Sequence, residues 1–149
     1  MAGSIMIRRI EHQDVPALFV VRVATRENVL SLDQLASLGI TEATIHEAIE
    51  GSHAGWLYED QGRVVAFAMG DYEGKELTVI AVLPDYEKQG IGGQLLTQVE
   101  NWLKSKGCDE ICLSTDLDVK LRAYGFYRKW GWVDNKIEKG NRYMCKRLN

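Results

Sequence analysis

The segment with the clearest chemistry is VLPDYEKQGIGGQLL, residues 82–96. An apolar run ends, a polar turn follows, and Gly90, Gly92 and Gly93 stand where a helix-like apolar pattern begins. A helix N-terminus leaves backbone N–H groups unpaired and carries a partial positive charge, so it binds anions. Glycines let a phosphate approach the backbone, and Lys88 adds a cation. The segment therefore predicts a site for a ligand that carries a diphosphate.

Known phosphate-binding fingerprints do not match this loop. The dinucleotide pattern GxGxxG fails because Leu95 occupies the position of its third glycine. A Walker A loop fails because no GK[ST] follows the glycines. Two alternatives stay open at this point: a helix that is merely entered through a flexible turn, and a nucleotide-binding protein that uses the same glycines.

The elements that must position this loop follow from the apolar periodicity. Alternation with period 2 predicts strands, and spacing near 3.6 predicts helices. The first helix is expected to begin after an N-cap at Asp14 and to continue through Leu30, and the second to end at Gly51. The predicted order is β-α-α-β-β-β-α-β-α-β-β, an α/β arrangement around a mixed sheet. In the segments VVAFAM and LTVIAVL, both alternating sets of positions are apolar. This pattern predicts strands that are covered on both faces.

Composition bounds the class of protein. The chain has 149 residues, 46% apolar and 26% charged, which is typical of one globular domain over residues 1–149. Lys plus Arg number 18 and Asp plus Glu 21, so the net charge of −3 argues against nucleic-acid binding. The sequence contains no run of about 18 apolar residues, so no membrane-spanning helix is expected, and no signal peptide is expected either.

The cysteines bear on location. Cys108, Cys112 and Cys145 are odd in number and lack CxxC spacing, so they are predicted to be free thiols in a reducing compartment. Cys112 is expected to act as a small buried hydrophobe. No zinc-like spacing joins these cysteines to a histidine, so no metal is expected. The expected location is the cytoplasm.

Two motifs resemble those of one family. ELTVIAVLPDYEKQGIGGQLL is similar to the acetyl-CoA motif of the GNAT N-acetyltransferase superfamily: a strand, V-x-P, then [QR]-x-x-G-x-[GA] opening a helix. LRAYGFYRKWGWV resembles its second signature, A-x-x-F-Y-x-x-x-G-[FW]. The order of elements matches as well. The resemblance implies the GNAT acyl-CoA N-acyltransferase fold, a mixed and mostly antiparallel central sheet flanked by helices.

The resemblance assigns roles to particular residues. It implies that the strand before the loop diverges from its neighbour and that the backbone of Ala81, Val82 and Leu83 pairs with the pantetheine arm of CoA. Tyr127 matches the tyrosine near the thioester sulfur; with an unperturbed pKa near ~10 it could protonate the departing thiolate. The amides expected to bind the pyrophosphate are those of Lys88, Gln89, Gly90, Ile91, Gly92, Gly93 and Gln94.

Two positions depart from the family pattern. Glu87 stands where the family usually has Gln or Arg, and its side chain is expected to turn outward, which would leave Lys88 to supply positive charge. Lys120 stands where many members have Asn. Lys120 or Arg122 could meet a phosphate of CoA, but a solvated helix face is the favoured interpretation.

The acceptor side carries fewer signals. In this family the first two helices and the last hairpin usually wall the acceptor site. The residues VRVATRENVLS place Arg22, Arg26, Glu27 and Asn28 at a predicted helix end, and the last three of these are predicted to bind the acceptor. The alternative interpretation is that these residues form a polar helix face exposed to solvent.

A general base must take a proton from the acceptor ammonium. Glu76 is preferred because it opens the strand that carries the cofactor site. His53 is interpreted as a loop residue rather than a base, and Trp56 and Trp132 are expected to line a pocket. The other candidates for the base are Asp71, Glu73 and Asp116.

The sequence thus predicts an enzyme that transfers acetyl from acetyl-CoA to a primary amine of a small molecule or peptide, by direct attack in a ternary complex. The alternative is a non-catalytic module that binds acyl-CoA on the same fold. A small-molecule or peptide amine is the expected partner, with no nucleic acid and no membrane. An exposed sheet edge leaves a homodimer open.

Overall fold

A seven-stranded sheet forms the centre of the computed structural model, which describes residues 5–26 and 30–148. The strand order is β1-β2-β3-β4-β5-β7-β6, and all neighbours are antiparallel except β4 and β5, which are parallel. The prediction of a mixed, mostly antiparallel sheet is confirmed. The strands are β1 (Ile5–Arg9), β2 (His53–Asp60), β3 (Arg63–Asp71), β4 (Glu76–Val82), β5 (Glu110–Thr115), β6 (Val133–Glu138) and β7 (Asn141–Arg147).

Helices cover both faces of the sheet. The helices are α1 (Val15–Arg22), α2 (Leu32–Ser37), α3 (Glu42–Glu50), α4 (Ile91–Ser105) and α5 (Arg122–Lys129). Helices α1 and α3 pack on one face, and α4 and α5 on the other. The centre of β3 is buried on both faces, as its apolar residues at both parities predict. None of the described helices is long and apolar enough to cross a bilayer.

The region after α1 differs from its prediction. The first helix ends at Arg22 and not at Leu30, and α2 follows as a separate helix that the periodicity did not reveal. Ser31 starts α2 because its hydroxyl accepts from the Gln34 amide while the Gln34 side chain accepts from the Ser31 amide. A helix of 6 residues offers too few apolar positions for a period to stand out.

Strands β4 and β5 diverge. They share one registered pair, Glu76 with Cys112, and the Cys112 amide donates to the Lys75 carbonyl at 2.9 Å. Beyond this point β4 stays paired with β3 as far as Val82, and β5 stays paired with β7 as far as Thr115. A gap therefore opens between the two parallel strands towards their carboxyl ends, as the family resemblance implies.

A β-bulge at Thr78 sets which way the start of β4 faces. Met69 pairs with Val79 while the next residue of β3 pairs with Leu77, so Thr78 is the extra residue, and its hydroxyl donates to the Met69 carbonyl. Leu77 consequently packs beneath α4, whereas Val79 faces α1 and α3. The bulge thereby turns Glu76 towards the α1 and α3 face.

The cysteine prediction is wrong for two of the three residues. Cys112 and Cys145 form a disulfide, and only Cys108 is a free, buried thiol. The two residues lie directly opposite each other because β5 and β7 pair in antiparallel register. Their separation of 33 residues along the chain gave no indication of this pairing. The thiol argument for a cytoplasmic location therefore loses its support.

Helix α5 is held against the start of α4 by aromatic residues. A Cβ on Gly93 would collide with the ring of Trp130, and one on Gly92 would lie 3.3 Å from the Phe126 ring. These glycines therefore serve the contact between helices. Trp132 is fully buried in the same cluster, with its Nε1 donating to Glu100, so the prediction that it lines a pocket is wrong.

Gly93→Ala should destabilise the protein, because the new methyl group must displace the Trp130 ring. Overpacking of this kind costs about 1–3 kcal/mol. Gly125→Ala in α5 is the matched control: no atom lies within 4 Å of its added Cβ, so the variant should be stabilised by roughly 0.5–1 kcal/mol. Urea unfolding measures both, and equal effects of the two variants would contradict the packing role of Gly93.

Candidate active site

The loop after β4 is fixed at its start and sharply turned at its end. The Leu83 amide donates to the Val65 carbonyl, and the Tyr86 hydroxyl donates to Asp60 at 2.6 Å. Lys88 and Gly90 then adopt left-handed conformations, with φ of 63° and 82°. Gly90 is the N-cap of α4, and a glycine suits it because its φ is costly for other residues. The loop therefore delivers the chain to the helix N-terminus at one side of the gap.

The amides at this helix start have no protein partners. Those of residues 88–93 donate to no carbonyl or side chain in the described part of the chain, and the first helical bond runs from the Gln94 amide to the Gly90 carbonyl. A row of unbonded N–H groups at the N-terminus of a 15-residue helix is suited to a phosphate or another polyanion. This is where the sequence places the diphosphate.

The edge of β4 that faces the gap is set by strand alternation. Since the Leu83 amide bonds to Val65 of β3, Ala81, two residues earlier, also directs its backbone groups towards β3. Val82 and Ile80 therefore direct theirs into the gap. The geometry supports Val82 as a partner for an extended ligand and does not support Ala81 or Leu83. It adds Ile80, which could be identified only once the register of β3 and β4 was known.

Tyr127 lies half-buried on α5 in the layer that contains α4. Its ring is 5.4 Å from Phe126 and 6.0 Å from Trp132. Burial raises the pKa of Tyr127 to about 12. No hydrogen bond joins its hydroxyl to any residue that the structure describes. The phenol is therefore protonated at neutral pH and able to donate to a ligand.

Glu87 does not turn outward, contrary to the prediction. Its side chain is only 8% exposed and binds Arg26 at 2.6 Å and Arg122 at 3.0 Å. These arginines come from the segment after α1 and from the start of α5, so the carboxylate links two elements beside the loop. Arg122 is thus part of an ion pair rather than a solvated helix face.

A row of polar side chains crosses the sheet at the start of β4. His53, Asp71 and Glu76 lie opposite one another on β2, β3 and β4, and directly opposed residues share a face. His53 Nε2 is 3.7 Å from Asp71, which also accepts from the Ser52 hydroxyl at 2.6 Å. His53 therefore belongs to a strand next to the preferred base, and its interpretation as a loop residue is wrong.

The carboxyl groups of this row have opposite pKa shifts. Burial raises the pKa of Glu76, and the negative charge of Asp71 raises it further. Burial also opposes ionisation of Asp71, but its hydrogen bonds from the Ser52 hydroxyl and from amides of the following turn outweigh it and lower its pKa. Glu76 is thus the carboxylate that more readily accepts a proton.

A cavity of about 250 Å³ opens on this same face. It lies between helices α1 to α3 and strands β3 and β4, and most of its wall is apolar. Helices therefore wall it as the resemblance implies, but no described residue of the last hairpin does. The lining residues are Leu18, Phe19, Arg22, Leu35, Ile40, Ile45, Ala48, His53, Phe67, Met69, Thr78 and Val79.

Several predicted residues lie elsewhere. Arg26 is bound to Glu87 and does not line the cavity. Trp56 packs edge-on against Trp102 on the opposite face. Three further residues are exposed and do not line the cavity: Glu73, Asp116 and Lys120. Glu27 and Asn28 fall outside the described residues.

The divergent strand pair and the unbonded amides before α4 define an acyltransferase fold of the GNAT type. The chain belongs to the acetyltransferase (GNAT) family, whose profile matches residues 24–132.

Curated relatives include an amino-acid acetyltransferase from Pseudomonas putida, 30% identical over 129 residues, with 80% of this chain and 29% of that protein covered. Another is the aminoglycoside N(6′)-acetyltransferase type 1 of Acinetobacter genomosp. 13, 33% identical over 101 residues, with 64% of this chain and 58% of that protein covered. The chain thus spans less than a third of the length of the first relative.

Solved structures share the fold. The PaiA N-acetyltransferase of Thermoplasma acidophilum, in complex with coenzyme A, superposes with a TM-score of 0.83 at 20% identity, covering 97% of this chain and 99% of that one. The ribosomal-protein-S18-alanine N-acetyltransferase of Escherichia coli gives 0.75 at 20% identity, covering 97% and 94%.

Asp71→Asn should lower the pKa of Glu76 towards its usual range, because the charge of Asp71 is one cause of the raised value. Carboxyl chemical shifts followed by NMR through a pH titration measure this. Glu73→Gln is the control, since Glu73 is not a cause of the shift, and it should leave the titration of Glu76 unchanged. An unchanged Glu76 titration in Asp71→Asn would contradict the electrostatic link across the row.

Proposed function

We propose that the protein is an N-acetyltransferase that moves the acetyl group of acetyl-CoA to the amine of a small molecule. The observation that carries this proposal is the row of unbonded amides at residues 88–93 beside the free edge of β4. The amides suit the pyrophosphate of CoA, and the strand edge suits an extended chain of amide groups such as pantetheine. The curated relatives, named for amino acids and aminoglycosides, support a small-molecule acceptor.

The proposed reaction is direct attack of the acceptor nitrogen on the thioester carbonyl. Acetyl-CoA supplies an activated acyl group. Glu76 takes one proton from the acceptor ammonium, directly or through water, and its raised pKa improves it as a base. The N–C bond forms as the C–S bond breaks, and a hydroxyl of the chain gives a proton to the departing sulfur. The nitrogen releases its second proton to water, and the hydroxyl regains one from water. The acceptor cavity and Glu76 share one face of the sheet, which supports this assignment.

The developing charges have partners within the chain. The backbone amide of Ile80 lies on the gap-facing edge of β4 and would donate to the carbonyl oxygen as negative charge grows there. Tyr127 would donate its hydroxyl proton to the sulfur, since a pKa of about 12 keeps the phenol protonated across the physiological range. Gly90 and Lys88 shape the loop that presents the amides.

Two other functions use the same loop. A non-catalytic module would bind acetyl-CoA without transferring the acetyl group, and a nucleotide-binding protein would prefer ATP. Calorimetric titration with acetyl-CoA and with ATP, together with an assay for free thiol over a panel of amines, separates the three functions. Binding of acetyl-CoA with amine-dependent thiol release supports the proposal; binding without release contradicts it.

Tyr127→Phe should reduce kcat by about 100-fold or more, the usual contribution of a general acid. Its dissociation constant for CoA should change little, because the ring that packs against Phe126 and Trp132 is retained. Tyr143→Phe, a change on β7, is the control and should match the unchanged protein. If Tyr127→Phe turned over at the normal rate, Tyr127 would not be the acid.

Glu87→Gln should strengthen CoA binding by roughly three- to tenfold, because it removes a negative charge beside the loop and releases Arg26 and Arg122. The gain should shrink as salt is added. Calorimetry at low and high ionic strength measures it, with Glu110→Gln at the far end of β5 as the control. Weaker binding by Glu87→Gln would mean that the ion pairs hold the loop in shape, and would contradict competition with the phosphates.

A further inference from the structure

The wall of the cavity beside α1, α2 and α3 is suited to an apolar group. Nine of the twelve described residues that line it are apolar, and three of them, Leu18, Leu35 and Phe67, are buried. None of the described lining residues is Asp or Glu. Arg22 also lines the cavity, but it already has an interaction partner and so offers no unpaired charge to a ligand. Recognition in this cavity therefore depends mainly on apolar contact.

Helix α3 leaves this apolar wall partly uncovered. No residue of α3 is buried, and the two that line the cavity, Ile45 and Ala48, keep part of their surface exposed. Ile40, in the turn before α3, is exposed as well. Apolar side chains that face an empty space lack the contacts that a close-packed interior supplies. An apolar group of a ligand would supply these contacts.

The polar groups that suit an amine lie at the strand side of the cavity. His53 lines it there and belongs to the row that continues through Asp71 to Glu76. The carboxylates of this row attract an ammonium. The Thr78 hydroxyl is already bonded to the Met69 carbonyl, so it adds little to recognition. Among the described residues, this row is therefore the part of the site that favours a positive charge.

The size of the cavity limits the group that enters it. Its volume is about 250 Å³. That space equals roughly eight waters at about 30 Å³ each, so it admits an apolar group of roughly five to eight carbon atoms. A molecule of several sugar rings is too large for it.

We propose that the acceptor is a primary monoamine with a compact apolar substituent, whose ammonium lies at the row of His53, Asp71 and Glu76 while the substituent fills the cavity. This inference rests on the proposed acetyltransferase function. A diamine is a poorer acceptor, because its second ammonium would leave water without gaining a carboxylate among the described lining residues. An aminoglycoside is poorer because its hydroxyl groups would lack partners along the apolar wall.

Four amines test the acceptor with the unchanged protein and acetyl-CoA: pentylamine, ethylamine, 5-amino-1-pentanol and 1,5-diaminopentane. Ethylamine lacks three methylene groups of pentylamine, so its kcat/KM should be about 10- to 100-fold lower. The amino alcohol and the diamine keep the chain length and place a polar group at its far end. Their kcat/KM should also be at least about tenfold lower than that of pentylamine, because this group loses its water. Mass detection of the acetylated product measures each rate.

Ala48→Leu tests the cavity by filling it. The added carbons occupy the space of the substituent, so kcat/KM for pentylamine should fall about tenfold or more, while that for ethylamine should change by less than about twofold. Ala43→Leu, at an exposed position of the same helix outside the cavity, is the matched control and should behave as the unchanged protein. The dissociation constant for CoA should stay the same in both variants. Circular dichroism confirms that each is folded.

Ile45→Ala tests the opposite change. It enlarges the cavity, so kcat/KM for heptylamine should rise about three- to tenfold relative to that for pentylamine. A ratio that stays the same in Ile45→Ala would contradict the placement of the substituent against α3.

The outcomes separate this inference from the function on which it rests. A preference for pentylamine over ethylamine that Ala48→Leu removes and Ala43→Leu retains supports the inference. Transfer to 1,5-diaminopentane or to the aminoglycoside kanamycin at least as efficient as transfer to pentylamine overturns it and leaves the acetyltransferase function in place. An unchanged preference in Ala48→Leu also overturns it. Binding of acetyl-CoA without transfer to any amine overturns both.

Discussion

The structure depends on the place where two parallel strands stop pairing. Strands β4 and β5 meet at Glu76 and Cys112 and then diverge, although each keeps its other neighbour. Unpaired strand edges inside a sheet are costly, because their N–H and C=O groups lack partners. Here the gap exposes the backbone of Ile80 and Val82 beside a helix N-terminus whose amides are also unbonded. Both sets of groups can be satisfied together by one long, polar, anionic ligand.

The bulge at Thr78 determines the face of the sheet on which Glu76 lies. Without the extra residue, Glu76 would point to the face of α4, away from the cavity between α1, α3 and the sheet. With it, Glu76 joins His53 and Asp71 on the face of α1 and α3, where burial and the charge of Asp71 raise its pKa. Glu76 and the cavity are thus placed on one face by a local irregularity of the strand.

The three glycines at the start of α4 have different structural roles. Gly90 is needed for its left-handed backbone, whereas Gly92 and Gly93 make room for Phe126 of α5 and for Trp130, which follows that helix. A substitution at Gly92 would therefore disturb helix packing and could not by itself report on phosphate binding. Glu87 places a negative charge at the same loop and forms ion pairs with Arg26 and Arg122. The positive charge that these two arginines bring to the loop is therefore partly neutralised within the protein.

The sequence by itself determined the class of fold, the family, the glycine loop and the tyrosine of α5, because these depend on local periodicity and on short motifs at fixed spacing. It also predicted that Glu76 opens a strand, and β4 does begin at that residue. Only the tertiary structure decided which backbone groups of β4 face the gap, that Cys112 and Cys145 are paired, that Glu87 turns inward, and that His53 lines a cavity on the face of α1 and α3. These features depend on register and on contacts between segments distant in the chain, and a one-residue shift in a strand reverses every side chain in it.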